Sequence, residues 1–503
     1  MHADNYTRGG SLLDSMVKKN TVIVRHLSDN NAEERGYGRF LQNDNIIAQD
    51  VVESYRPALP DGLSDMHILL IQDTTEISFG LNSDKAGLGK VGNGGHDGFF
   101  SHPVIGMNAA NGGCLGLAAA EIHLREEFTP TETEIEKARR SLEKSAVKKA
   151  LLTGASPKTV SETTVLREAR ELHQRKLPFE AKDRYRWLDT ALEGADYYQG
   201  AAQRTVVGDR ESDIYQVFMG LQAQDVGFVI RSSQDRYLEH TRNEATLHKQ
   251  SKEWSQSYAY KVKLPATDKR SAHEAILQVS YQQVNIACPQ YLLKSDVTLR
   301  DGQKIEMAAT LPLYAVRVFE SPHSVVNNEQ PIEWLLLTSI PVLNTEQALQ
   351  IVQYYRWRWV IEQVFRTLKS KGLDIQNSPI KPFNALAKLA ILALIAATQI
   401  MQLVQARDGK TNQDIQTVFD DCEIQAIQLL SSQLEGKTDK QKNPHPPESL
   451  AFAVWVVARL GGWKPFATPK PPGPITILNG FTIFHNMMIG FRLKLEPICQ
   501  RTS

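Results

Sequence analysis

Apolar positions first recur at helical spacing near the N-terminus, at Leu12, Leu13, Met16 and Val17, followed by Val22 and Val24; residues 44–55 repeat the pattern. Asn31 to Phe40 (NAEERGYGRF) is a polar, aromatic and basic segment. The opening is therefore expected to be a small helical module over residues 1–62. The pattern changes at His67, where an apolar run rich in Ile and Leu ends in Asp73. A glycine-rich loop over 81–98 follows, then two further strand patterns at 99–109 and 113–124. Residues 129–193 are charged with helical periodicity and a Gly-Ala-Ser-Pro break at 154–157. Arg204 to Gly208 is a short strand feeding Asp209; a helix at 212–222 and a strand at 227–232 come next.

From 233 to 333 apolar and polar residues alternate, as in Tyr258-Ala-Tyr-Lys-Val-Lys-Leu, which predicts antiparallel strands. Trp334 to Ser339 (WLLLTS) returns to a buried-strand pattern, and the chain beyond Thr345 is mainly helical, over 345–373, 385–405, 412–434 and 449–461. Residues 439–447 read as a linker and the proline-rich 467–475 as irregular chain. The fold class expected is α/β, a mixed sheet flanked by helices with an antiparallel β insertion. The expected divisions are 1–62, a core over 63–232 with a helical insertion at about 129–180, the β insertion 233–333, the end of the core at 334–380, and a helical C-terminal region at 381–503.

Composition narrows this picture little. Four cysteines stand far apart with no CxxC pair, which disfavours a disulfide framework or a cysteine zinc site and suits a reducing compartment. The most apolar run, 389–398, follows Lys388 and precedes Gln399, as a buried helix does and a membrane span does not. Lysine plus arginine equals aspartate plus glutamate at 57 each, so no global basic field announces nucleic acid. Composition alone ranks DNA binding low.

Local chemistry points the other way. In YYRWRWVIEQVFRTLKSKG, Tyr355, Arg358, Glu362 and Lys369 share one face at 3.6 residues per turn, while Val360, Ile361, Val364, Phe365 and Leu368 cover the other. One carboxylate among cations suits a metal-bound phosphate; an ordinary solvated helix with an i,i+4 ion pair fits the same spacing. Asp73 and Asp209 each end a strand, where carboxylates can share magnesium ions or simply cap a turn. His96 and His102 lie near the first aspartate but are excluded, because magnesium does not favour imidazole.

These blocks resemble the bacterial DDE transposases of the insertion-sequence-four group. Gln72-Asp-Thr-Thr, with Leu88-Gly-Lys and Phe99-Phe-Ser-His102, matches the first aspartate block, and Val207-Gly-Asp209-Arg-Glu-Ser-Asp213 the second. Tyr355-x2-Arg358-x3-Glu362-x6-Lys369 after WLLLTS matches the Tyr-Arg-Glu-Lys signature, and Ala458-Arg-Leu-Gly-Gly462 extends the match. The resemblance implies a ribonuclease-H-like catalytic core and cut-and-paste DNA transposition through a hairpin intermediate. Asp73, Asp209 and Glu362 would be the catalytic residues and ligate two Mg²⁺ ions, with Mn²⁺ able to substitute. Tyr355, Arg358, Lys369 and Arg210 would meet phosphates, Trp334 and Trp359 a flipped base, and Arg231 the DNA. The implied partners are double-stranded DNA, as inverted-repeat ends and target, and a second copy of the chain through its C-terminal helices; the implied setting is the bacterial cytoplasm and nucleoid, with no membrane. Of the family's early Asp-x-Arg-Arg-like motif only Arg8 has a counterpart, so the alternative is an N-terminally shortened regulatory chain. The basic clusters Lys137, Arg139, Arg140 and Lys148, Lys149 read either as DNA contacts or as an exposed helical pair.

Overall fold

The computed structural model describes residues 3–499 apart from 93–94, 126–128, 154–160, 240–245, 267–269, 328, 370–371, 412 and 466–470; for 148–153 and 489–499 only the backbone is described. The chain opens with helices α1 (Ala3–Lys19), α2 (Val24–Leu27), α3 (Asn31–Leu41) and α4 (Ala48–Tyr55). The polar, aromatic and basic segment at 31–40 is itself a helix within this module. Asn30 starts α3 by accepting from the Ala32 and Glu33 amides, and Tyr37, Phe40 and Leu41 supply a narrow buried stripe.

Strands β1 (His67–Gln72), β2 (Thr75–Ser78), β3 (Gly89–Val91), β4 (His96–Asn108) and β5 (Cys114–His123) follow. Helices α5 (Glu132–Thr153), α6 (Glu162–Lys176) and α7 (Arg186–Tyr197) lead to β6 (Gln203–Gly208), α8 (Tyr215–Ala223) and β7 (Gly227–Arg231). The break expected at 154–157 and the side chains of Lys148 and Lys149 lie outside the described residues. Helices α5 and α6 pack on each other through Ala138, Val165 and Ala169, while Lys137, Arg139 and Arg140 are exposed on that pair.

The next stretch holds α9 (Leu247–Ser251), β8 (Tyr258–Leu264), β9 (His273–Ala287), β10 (Asp296–Thr298), β11 (Lys304–Glu306), β12 (Thr310–Glu320) and β13 (Glu333–Thr338). One sheet runs β2-β4-β1-β6-β7-β13-β12-β9-β8, with β3 and β5 also on β4. Strands β1, β6 and β7 are parallel and the others pair antiparallel, the mixed, ribonuclease-H-like core the sequence predicts. The alternating stretch 233–333 extends this same sheet through β12, β9 and β8.

Helices α10 (Thr345–Trp357), α11 (Trp359–Lys369), α12 (Phe383–Ala406), α13 (Asp421–Leu434), α14 (Leu450–Leu460) and α15 (Pro474–Cys499) complete the fold. The helix expected to begin at 412 begins at Asp421, because Asp420 and Glu423 form a reciprocal cap there. The last helix follows the proline-rich stretch, within the C-terminal region expected to be helical; Pro474 stands at its first turn, where a missing N–H costs nothing. Helix α12 is long and apolar enough to cross a membrane, but 83% of its apolar window is buried in the protein. It packs against α1, α4, α11, α14 and β5, and this is the centre of the larger hydrophobic core.

Strand parity separates two cores. Leu69, Ile71 and Val207 belong to the cluster with α11 and α12, whereas Ile68, Leu70 and Val206 belong to the cluster with α7 and α8.

Candidate active site

Parity also aims the aspartates. Strands β1 and β6 run in parallel with Ile71 beside Val207, and Asp73 and Asp209 each stand two residues further on. The two carboxylates thus leave adjacent strands level with each other, on the face that carries Ile71, Val207 and α11.

A break in the sheet frees the first of them. The β1 register pairs Gln72 with Val104, and the β2 register pairs Thr75 with Ser101, at an unchanged offset along β4. Asp73 and Thr74 therefore face Pro103 and His102. Pro103 has no N–H to offer, so the ladder opens at that rung and β1 and β2 separate. At the second, Asp209 caps a short 3₁₀ turn, its Oδ1 accepting from the Glu211 amide at 2.8 Å.

Helix α11 supplies the third carboxylate. Val360, Ile361, Val364, Phe365 and Leu368 are buried against the core as predicted, leaving Glu362 part-exposed. The expected single helix carrying Tyr355 through Lys369 is corrected: α10 ends at Trp357 and α11 starts at Trp359. Arg358 N donates to Tyr355 O and Ile361 N to Arg358 O, both at 3.1 Å, so the turn tightens to i→i+3 bonding. Trp357 is stacked on Tyr354 while Arg358 reaches across to Asp73, and the tight turn reconciles the two.

Arg358 joins the carboxylates. Its Nη1 donates to Asp73 Oδ2 at 2.9 Å and its Nη2 to Glu362 Oε1 at 2.7 Å. The i,i+4 pair offered by the simple reading exists, but it is one half of a bridge between elements. Burial opposes the charge on Arg358, yet Tyr355, Asp73 and Glu362 outweigh it and hold the guanidinium above its usual pKa. Its Nε is buried without a hydrogen-bond partner among the described residues. Burial first, then the charge of Asp209, pushes the Asp73 carboxyl up to about 7, against the pull of Arg358.

Other expected residues fall around this centre. Tyr355 is buried and meets Trp334 edge to face, with ring centroids 5.2 Å apart. Trp359 is 61% exposed beside Arg358, whose guanidinium lies 5.9 Å from its ring. Burial lowers the pKa of Lys369, and Glu76 opposes that shift. Arg210 is exposed directly after Asp209. Arg231 ends β7 and donates to the Glu333 carbonyl at 2.9 Å. Of the excluded histidines, His96 bonds Ser78 on the exposed side and His102 is fully buried.

Arg186 was missed. Its Nε donates to Thr74 Oγ1 at 3.4 Å, and its charge opposes the upward shift that burial and Asp209 impose on Glu211. It stands at the start of α7, remote in sequence from both aspartate blocks, and only the fold brings it in.

The donor set suits a hard divalent cation: carboxylate oxygens alone, with Asp73 and Asp209 close enough for one to raise the other's pKa. Among the described residues no group of three His, Cys, Asp or Glu is gathered tightly enough to hold a metal. Arg358, bonded to Asp73 and Glu362, stands where positive charge is needed. The oxygen donors of Asp73, Asp209 and Glu362 fit such an ion chemically.

Residues 182–399 match the family model described as the transposase DDE domain. The matched stretch runs from before α7 to within α12 and includes Asp209 and Glu362. The match supports a DDE transposase, a family whose members act on DNA and typically use divalent metals.

Proposed function

We propose that this chain catalyses cut-and-paste transposition of an insertion sequence, with Asp73, Asp209 and Glu362 as the catalytic carboxylates. The observation that carries the reading is the level placement of Asp73 and Asp209 at adjacent parallel strand ends, on the face where α11 presents Glu362. These three would hold Mg²⁺, or Mn²⁺, as two ions. When bound, such ions activate the attacking oxygen and stabilise the leaving one in phosphoryl transfer. Strand nicking, hairpin formation, hairpin opening and target joining are each in-line displacements at phosphorus, so one site serves all.

The protein's own groups position the DNA. Arg358 exchanges its carboxylate partners for a terminal phosphate, and its unpaired Nε gives it a further donor for that purpose. Lys369 and Arg210 flank the carboxylates and contact neighbouring phosphates, while Arg231 meets the DNA further along the sheet. Trp359, exposed beside Arg358, stacks on a base drawn from the duplex, and Trp334 with Tyr355 forms the wall behind it. A homodimer on paired ends, joined through the C-terminal helices, completes the scheme.

The test is cleavage of DNA bearing the element's terminal inverted repeats with Mg²⁺. Glu362→Gln and Asp73→Asn are expected to abolish cleavage while a gel shift on the same DNA persists. Trp359→Ala should slow hairpin formation more than the first nick. Cleavage by Glu362→Gln at the unaltered rate would overturn the assignment, and no specific gel-shift band from the unaltered chain on the terminal repeats would favour the regulatory alternative.

A further inference from the structure

Asp73 stands at a gap in the sheet, with its ladder interrupted opposite Pro103, yet it must be held still to serve as a ligand. Besides the bond from Arg358 to its carboxylate, what holds it lies on the opposite face of β1. Gln72 and Thr74, the residues on either side of Asp73, both turn toward α7, and both are bonded to the same ring, that of His102. Thr74 Oγ1 is 2.8 Å from His102 Nδ1, and Gln72 Oε1 is 3.2 Å from His102 Nε2. Gln72 and His102 are fully buried, so water does not complete these bonds.

The donors and acceptors can be ordered from one end. Gln72 Nε2 donates to the Trp187 carbonyl at 3.1 Å, and a carbonyl can only accept. That fixes the amide, so Gln72 Oε1 faces the ring and accepts from His102 Nε2–H. In a neutral imidazole Nδ1 then carries the lone pair and accepts from the Thr74 hydroxyl. Thr74 Oγ1 has a lone pair left, and Arg186 Nε donates to it at 3.4 Å. Every group in the series Arg186, Thr74, His102, Gln72, Trp187 is satisfied in one direction. The neutral ring agrees with its surroundings: complete burial, and then the charges of Arg186 and His123, drive its pKa well below the usual histidine value. Trp187 also closes over the ring edge to face, with centroids 4.6 Å apart.

We propose that His102 is a positioning residue for Asp73: locked as its Nε2–H tautomer, it clamps Gln72 and Thr74 and so fixes the carboxylate between them. The proposal rests on Asp73 being a metal ligand, as the proposed function has it. A bond on each flank leaves the intervening Cα little freedom, even though the strand is unpaired there. Arg186 is the outer end of the same series, which ties its guanidinium to the strand that carries Asp73.

The test uses the full chain and avoids the buried ring. Thr74→Val keeps the shape and removes the hydroxyl, and Thr74→Ser restores it. Mn²⁺ binding, followed by electron paramagnetic resonance without DNA, should weaken about tenfold in Thr74→Val. The kcat for DNA cleavage should fall by about ten- to a hundredfold, as misplacement of a reacting group by an ångström does. KM for DNA and the melting temperature should stay near those of the unaltered chain, and Thr74→Ser should recover both lost quantities. Nitrogen-15 spectra of histidine-labelled protein, with the signal assigned by its loss in His102→Gln, should show a neutral Nε2–H ring. An imidazolium or an Nδ1–H ring would overturn the proposal, as would Thr74→Val matching the unaltered chain in both Mn²⁺ affinity and kcat. Unaltered protein that neither binds Mn²⁺ nor cuts DNA would instead overturn the proposed function, so the two failures are distinct.

Discussion

At Asp73 burial and the neighbouring Asp209 both work against ionisation, and Arg358 offsets them only in part, leaving the carboxyl at about 7. A folded-state pKa above the ordinary aspartate value means that the metal-free fold gains stability from this group at low pH. That contribution is present below about pH 4 and is lost as pH rises through about 7. Asp209→Asn removes one of the two opposing influences, so the Asp73 titration should move down toward the usual carboxylate range; carbon-13 spectra of metal-free protein measure it. An unmoved titration would mean that burial alone sets the value. At this scale the sequence was readable where a residue's role is local. Strand endings exposed Asp73 and Asp209, and helical spacing exposed Glu362. His102 and Arg186 were not readable, because their partners are chosen by the pairing of β4 with β1 and the docking of α7. A lone histidine near a strand carries no mark of the tautomer its neighbours impose.

Elements were legible where one periodicity ran undisturbed. Alternation revealed β8 and β9, and Ser449 with Gly461-Gly462 bounded α14. The division at Arg358 was not legible, since Tyr355 to Lys369 keeps helical spacing on paper while a cross-element bond tightens the turn. A second cross-element bond pins the β9–β12 pair. His273 Nδ1 donates to the Ser271 carbonyl at 3.0 Å and Nε2 donates to Glu320 Oε1 at 2.7 Å, so both nitrogens carry protons. The Ser271 carbonyl first, then Glu320, raises the His273 pKa. The stabilisation is full below the ordinary histidine value of about 6.5 and disappears as pH climbs through the raised one. Hydrogen exchange, corrected for intrinsic rate, should therefore show β9 less protected at pH 9 than at pH 6. His273→Gln should remove that difference; a difference that survives would assign it elsewhere.

The whole molecule is organised on α12, which touches N-terminal helices, the sheet and C-terminal helices alike. Its uniform apolarity suggested a buried helix in the sequence, but which elements would surround it was beyond periodicity, because a helix apolar on all sides names no preferred neighbour. Ile391 lies fully buried at its middle. Ile391→Ala should cost about 2–5 kcal/mol of stability, read as a lower urea midpoint with an unchanged slope. A loss below about 0.5 kcal/mol, the level of an ordinary surface change, would show that α12 is not the keystone described.

The position of α12 along the chain has a consequence in time. Strand β1 ends at Gln72, and α12, at the centre of the core that its Asp73-bearing face joins, begins only at Phe383. Ribosomes add about 5–20 residues per second, so on the order of tens of seconds separate the two during synthesis. Throughout that interval the emerging sheet shows an apolar face that lacks α12 and needs shelter from other nascent chains. The carboxylates therefore acquire their final surroundings only late in translation, and a product arrested before α12 would carry both aspartates without the scaffold that sets them in place.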